Sequence, residues 1–146
     1  MLVQSTRFGE LDIEEDQVLE FPYGMPGFAE EKKYVFMEYQ PESPFYFLQS
    51  VTDANLAFLM IDPFKFFNDY EFAMDDTLLA EIGLSDENPP LVFNIATIKD
   101  TLATMTVNLA APVLVNSRDR KAVQLVIEKT EFPLRYPLFP AVEGGK

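Results

Sequence analysis

The chain predicts an all-β fold: a mainly antiparallel barrel or sandwich of short strands, with one short helix near residues 76–82. Three observations lead there. Short apolar runs recur along the 146 residues. Proline, glycine, asparagine and aspartate interrupt them at close intervals. No regular alternation of strand and helix suggests a doubly wound parallel sheet. At this length, with 48% apolar residues, the chain is long enough to bury a core and is not composed like a disordered segment.

Residues 7–13 alternate loosely, with Phe8, Leu11 and Ile13 as apolar markers. Residues 18–21 form a second run. It is cut by Pro22-Tyr23-Gly24-Met25-Pro26-Gly27, where two prolines and two glycines force turns. Residues 33–39 read as a strand, with Tyr34 and Phe36 on one face and Val35, Met37 and Tyr39 on the other. Residues 45–51 and 56–61 flank Thr52-Asp53-Ala54-Asn55 and predict a hairpin with a four-residue loop. Both runs are apolar on both faces, which predicts central strands.

Asp75 or Asp76 can accept hydrogen bonds from the free N–H groups at a helix start. Leu78, Leu79 and Ile82 then share a face, and Gly83 can end the helix in the left-handed conformation. Two turns are marginal alone, so this helix needs packing. After Pro89-Pro90, strands are predicted at 91–99, 101–107, 112–116 and 122–128. The reading divides the chain into one β-barrel-like domain, 1–131, and a Pro-rich extended C-terminal tail, 132–146. The tail's large apolar groups either lie on the parent domain or await another chain.

The chemistry is narrow. The chain has no histidine and no cysteine, and its 24 acidic against 11 basic residues give a net charge of −13. The usual acid–base residue at neutral pH and the usual transition-metal ligands are therefore missing. No phosphate loop or nucleophile elbow is present. We expect no catalytic, cofactor or metal site. The charge disfavours direct binding to nucleic acid or anionic membrane and favours a basic protein partner. Asp12, Glu14, Glu15 and Asp16 form a dense acidic cluster, read as a solvated face rather than a calcium site. A carboxylate-pair glycoside hydrolase is the alternative from another functional class. The first ten residues hold no apolar signal core, and no run approaches a membrane span, so a cytoplasmic protein is expected.

Phe45, Tyr46 and Phe47, like Phe64, Phe66 and Phe67, read first as packing residues. A ring left exposed after Asp62-Pro63, beside Asp69, Glu71, Asp75 and Asp76, would make an apolar anchor with an acidic surround. Phe66, Phe67, Asp69, Glu71, Asp75 and Asp76 are accordingly the candidate partner-binding residues.

Taken in order, several segments resemble the FliW family of bacterial flagellar assembly factors. They begin with Thr6-Arg7-Phe8-Gly9-Glu10-Leu11. Phe21-Pro22-Tyr23-Gly24-Met25-Pro26-Gly27-Phe28 is similar to the family's F-P-x-G-[LI]-P-G-F turn. Phe47-Leu48-Gln49-Ser50, Leu56-Ala57-Phe58, Asp62-Pro63 and Asp69-Tyr70-Glu71 follow. Thr106-Val107-Asn108-Leu109-Ala110-Ala111-Pro112, ending at Asn116, is similar to T-x-N-L-x-[AG]-P. The motif positions Gly9, Gly24, Pro26, Gly27, Gln49, Ser50, Asn108, Leu109, Pro112 and Asn116 also have structural readings. Gly24 and Gly27 permit a tight double turn, Gln49 and Ser50 can satisfy backbone groups at a strand end, and Asn108 can form a local side-chain turn.

The resemblance implies a non-catalytic protein without a cofactor, monomeric when free. It implies binding to CsrA, a basic dimeric RNA-binding regulator that represses flagellin translation, with allosteric relief of that repression. It also implies binding to flagellin near its C-terminal region, in competition with CsrA.

Overall fold

The computed structural model describes residues 1–67, 69–97, 102–127 and 131–138. The strands are β1 (Leu2–Ser5), β2 (Gly9–Asp12), β3 (Val18–Glu20), β4 (Lys33–Glu38), β5 (Phe45–Ser50), β6 (Ala57–Ile61), β7 (Leu91–Thr97), β8 (Thr106–Val107), β9 (Val113–Asn116), β10 (Lys121–Gln124) and β11 (Tyr136–Pro137). The helix α1 spans Asp76–Glu81. Its start is fixed by Asp75, whose carboxylate accepts from Thr77 N at 2.9 Å and Leu78 N at 3.4 Å. Gly83 follows at φ +81°, as a left-handed stop requires. The predicted helix and its cap thus match the structure.

β3, β4, β5, β6 and β7 pair antiparallel in sequence order, forming most of a wall. β7 then pairs with β9, and β9 with β10. A single parallel contact, Lys121 opposite Glu20, joins β10 to β3 and closes a seven-strand barrel. Closure removes every free edge from that wall. The predicted all-β barrel class therefore holds, and the two-faced apolar runs at 45–51 and 56–61 are adjacent staves of it.

Strand alternation sorts the residues. Leu19, Tyr34, Leu48, Met60, Phe93, Val113, Val115 and Ala122 fill the interior, with Phe21 and Met25 closing it from the turn that follows β3. Phe36 stacks on Tyr46 at 5.4 Å, and Phe93 meets both rings edge-on. The opposite faces of the same strands are also apolar and are covered from outside. The β1–β2 hairpin lays Val3 and Ile13 over Val35. Ile82 and Leu84, with Phe66, Phe67, Phe72, Leu78 and Leu79 from residues 62–84, cover Ile61, Val92, Ala96 and Leu114. Leu138 joins this second cover.

Three predicted strands are corrected. Residues 7–13 are not one strand. The chain turns at residues 6–8 and pairs β2 back onto β1, with Ser5 opposite Gly9 at φ +76°. Among the described residues of 101–107, Leu102–Thr104 form a 3-10 turn and only Thr106–Val107 pair as a strand. The strand predicted at 122–128 runs from Lys121 to Gln124. Leu125 N still donates to Pro112 O and Ile127 N to Ala110 O, each at 2.8 Å, but neither bond is returned: Pro112 has no N–H, and Ala110 N donates to Asn108 Oδ1 instead. The ends of the predicted strands at 98–99 and 128, and residues 139–146 of the tail, lie outside the described residues. Residues 132–138 lie on the barrel: Leu109 N donates to Pro133 O at 3.1 Å, and β11 pairs with β8.

Gln49 locks the hairpin cover to the wall. It is fully buried, and its Oε1 accepts from Ser5 Oγ at 2.7 Å. Its Nε2 reaches Ser50 O, Asp53 O and Leu56 O at 3.1–3.2 Å. Gln49→Leu keeps the volume but orphans a buried hydroxyl and several carbonyls. We expect a loss of about 2–3 kcal/mol in urea unfolding, with the slope against denaturant unchanged.

Tyr34 supplies a second test. Its ring is enclosed by the barrel, and its hydroxyl has no hydrogen-bond partner among the described residues. Burial, aided by the negative Glu31, raises its pKa to about 12. The unfolded chain ionises this phenol near 10, while the folded chain keeps it neutral. Stability from Tyr34 is therefore complete below pH 10 and is lost as pH rises to about 12. Urea titrations in this window should show that fall, and Tyr34→Phe should lessen it.

Candidate functional site

The outer cover is incomplete. Between the hairpin cover and the cover built from residues 62–84, the outward Phe45 and Phe47 of β5 and Ala57 and Leu59 of β6 stay partly accessible. They form the floor of a groove of about 670 Å³. Its apolar floor includes Phe45, Phe47, Ala57 and Leu59, continuing onto Ala96 of β7. Register explains the floor: Phe47 is opposite Leu59, and Leu59 is opposite Ala96, so all three point the same way. Arg7, Tyr39 and Thr97 are exposed at the groove's rim, and the buried Met105 also lines it. Phe8 meets Phe47 edge-on at 5.0 Å, and Tyr39 does so at 6.3 Å. The Arg7 guanidinium lies 6.0 Å from the Phe47 ring centre.

The cover beside the groove is strongly acidic. From Asp62 to Glu87 there are eight carboxylates against one basic residue, Lys65. Asp69, Glu71, Asp75 and Asp76 are all exposed along this ribbon. Asp75 is also the helix cap, so part of its role is structural. The aromatic half of the predicted patch is placed differently from the acidic half. Phe66 and Phe67 are half-buried and pack towards the core, Phe66 at 6.2 Å from Phe45 and Phe67 at 5.4 Å from Tyr136. The exposed ring of the run is Phe64, 46% accessible, on a turn capped by Asp62. Phe66 thus touches a groove residue, while the four carboxylates lie on the adjoining surface.

Buried polar contacts hold this ribbon. The Tyr70 hydroxyl donates to Leu109 O at 2.7 Å and accepts from Asn94 Nδ2 at 3.1 Å. Asn94 Nδ2 also donates to Asn108 O at 2.9 Å. Asn108 Oδ1 accepts from Ala110 N at 3.0 Å, forming a local side-chain turn. Burial raises the pKa of Tyr70, and the bond from Asn94 opposes that rise. At the end of α1, Asn116 Nδ2 donates to Ile82 O at 2.6 Å and to Asp119 at 2.9 Å. That bond, then Arg118, holds the Asp119 carboxyl below its usual range.

The other motif positions are framework too. Gly24 has φ +66°, and a Cβ there would fall 2.6 Å from the Ala29 backbone. Pro26 and Gly27 continue that turn, with Gly27 at φ +86°. Ser50 Oγ accepts from Asp53 N at 3.0 Å and donates to Glu31 at 2.9 Å. Leu109 and Pro112 are buried.

Among the described residues, no three acidic side chains converge as a metal site. Asp12 instead lies 3.7 Å from the N-terminal amine, and Glu14 and Gln17 cap the short 3-10 turn. No helix of the described residues is long and apolar enough to cross a membrane. The groove residues Arg7, Tyr39, Leu59 and Ala96 were not singled out from sequence as a site. Their signal was the two-faced apolarity of 45–51 and 56–61, which marks a second surface needing cover.

Tyr70→Phe should free the Leu109 carbonyl inside the protein. We expect a cost of about 1–2 kcal/mol and faster amide exchange across residues 70–84, read by hydrogen-exchange mass spectrometry.

A family model described as "FliW protein" matches residues 2–138. A flagellar assembly factor FliW of Desulfitobacterium hafniense (strain Y51) is 45% identical, with all of both chains covered. One from Heliobacterium modesticaldum is 38% identical over 97% of this chain and 92% of its own. A crystal structure of the flagellar assembly factor FliW superposes with a TM-score of 0.88 at 33% identity, covering 96% of this chain and 98% of that one.

Proposed function

This chain belongs to the FliW family of flagellar assembly factors, and from that premise we propose that it works by occupying two protein partners in turn. It is not an enzyme, as the assembly-factor family to which it belongs is non-catalytic. That sets aside the carboxylate-pair hydrolase.

The first partner is CsrA, whose basic surface suits the ribbon carrying Asp69, Glu71 and Asp76. Opposite fields speed encounter and orient it. Screening at physiological salt acts over ~8 Å, so the ribbon must lie against CsrA for its charge to count. Holding CsrA lowers its affinity for flagellin mRNA and relieves repression. The second partner is flagellin, whose C-terminal region places an apolar segment in the groove, as amphipathic segments do in other grooves. Chaperoned flagellin and CsrA then compete for one protein, acting in the cytoplasm as a free monomer. The observation carrying this reading is an open apolar groove flanked by an acidic ribbon, joined through the Phe45–Phe66 contact.

Calorimetry with purified CsrA and flagellin across a salt series tests it. The triple variant Asp69→Lys, Glu71→Lys, Asp76→Lys spares the helix cap. It should weaken CsrA binding at least about tenfold at low salt and affect flagellin far less. Leu59→Asn should weaken flagellin binding and leave CsrA close to wild type. CsrA affinity indifferent to both salt and charge reversal would refute the ribbon as its docking site.

A further inference from the structure

We propose that Arg7 reads a side-chain carboxylate on the apolar partner segment seated in the groove, making it the residue that selects which segment binds. This rests on the reading that flagellin uses the groove.

Arg7 sits in the turn between β1 and β2, and the backbone on both sides of it is fixed. Thr6 N donates to Ala54 O at 2.8 Å, and Phe8 N donates to Ser5 Oγ at 3.0 Å. The Phe8 ring is braced against Phe47. The Arg7 side chain is exposed at the rim, with its guanidinium above the Phe47 floor. The chain holds 24 acidic residues, yet Arg7 forms no ion pair among the described residues. Gln4, not Arg7, holds the Glu10 carboxylate of the neighbouring strand.

The chemistry follows from that placement. An apolar floor binds apolar side chains with little discrimination between them. A guanidinium resting on an aromatic ring is weakly hydrated and keeps its planar donor fork for a two-point contact with a carboxylate. The net charge of −13 opposes polyanions such as RNA. A single acidic residue on an otherwise apolar segment meets that opposition only weakly and gains the local pair. The occupant is therefore an amphipathic protein segment with Asp or Glu at the edge of its apolar face.

Flagellin affinity should be measured for Arg7→Gln, Arg7→Lys and Arg7→Glu, after thermal melts confirm folding. Arg118→Gln, on the opposite wall between β9 and β10, controls for net charge. We expect Arg7→Gln to weaken flagellin binding about tenfold, Arg7→Lys to recover part of the loss, and Arg118→Gln to do little. Exchanging acidic residues in the flagellin C-terminal region for lysine, one at a time, should yield one partner that restores binding to Arg7→Glu. Wild-type flagellin affinity in all three Arg7 variants, with Leu59→Asn impaired, would overturn the role of Arg7 while leaving the groove in place. Wild-type affinity in Leu59→Asn as well would remove both.

Discussion

The wall of this barrel is apolar on both faces, and most of the architecture follows from that constraint. A closed barrel buries one face of each strand by filling its own interior. Here Tyr34, Leu48, Met60 and Phe93 do so. The outward residues Val35, Phe47, Leu59, Ile61 and Val92 remain, and water would cover them at a cost of about 25 cal/mol per Å². Three pieces of chain meet most of this need, the β1–β2 hairpin, residues 62–84 and the C-terminal segment through Leu138. The groove is what these pieces leave uncovered. Its existence is a property of the fold, because no cover extends across β5 and β6.

Covers made of short elements need specific attachment, since a helix of six residues or a four-residue strand has little stability of its own. Three fully buried amides supply it. Gln49 ties the hairpin and the β5–β6 loop, Asn94 ties Tyr70 of the acidic ribbon, and Asn116 holds the carbonyl that ends α1. Each amide is aimed at backbone or side-chain atoms of the cover from a wall strand. Apolar contact alone would allow the covers to slide, whereas a buried donor with one set of acceptors permits one register.

These amides also show what could be read before any coordinates. The wall strands, the hairpin loop, the helix and its cap were legible because each is a local pattern: alternation, turn residues, a carboxylate before a leucine face. Gln49 and Asn116 were visible as motif positions, but their partners lie far away in sequence, Ser5 and Ile82, and no local rule connects them. Asn94 was visible only as a polar residue in an apolar strand. β1 was missed because four residues carry too short a period, and it forms by pairing with β2. The acidic ribbon was legible as charge density. The groove was not, because an uncovered patch is defined by where the covers stop.

On the proposed function, that arrangement would give competition between the two partners a short route. The ribbon lies on one cover and the groove is the bare wall beside it, and Phe66 links them: its chain carries the ribbon, and its ring rests on Phe45 at the groove. A segment entering the groove must pack against Phe45. It then either stands beside a protein on the ribbon, where two macromolecules of ordinary size collide, or shifts the Phe66 ring and with it the backbone presenting Asp69 and Glu71. Under that proposal both outcomes would lower the affinity of the second partner, and linkage would make the effect mutual. Collision and ring shift differ in one respect. A peptide spanning only the groove is too small to collide, so only a shift of Phe66 would let it weaken CsrA.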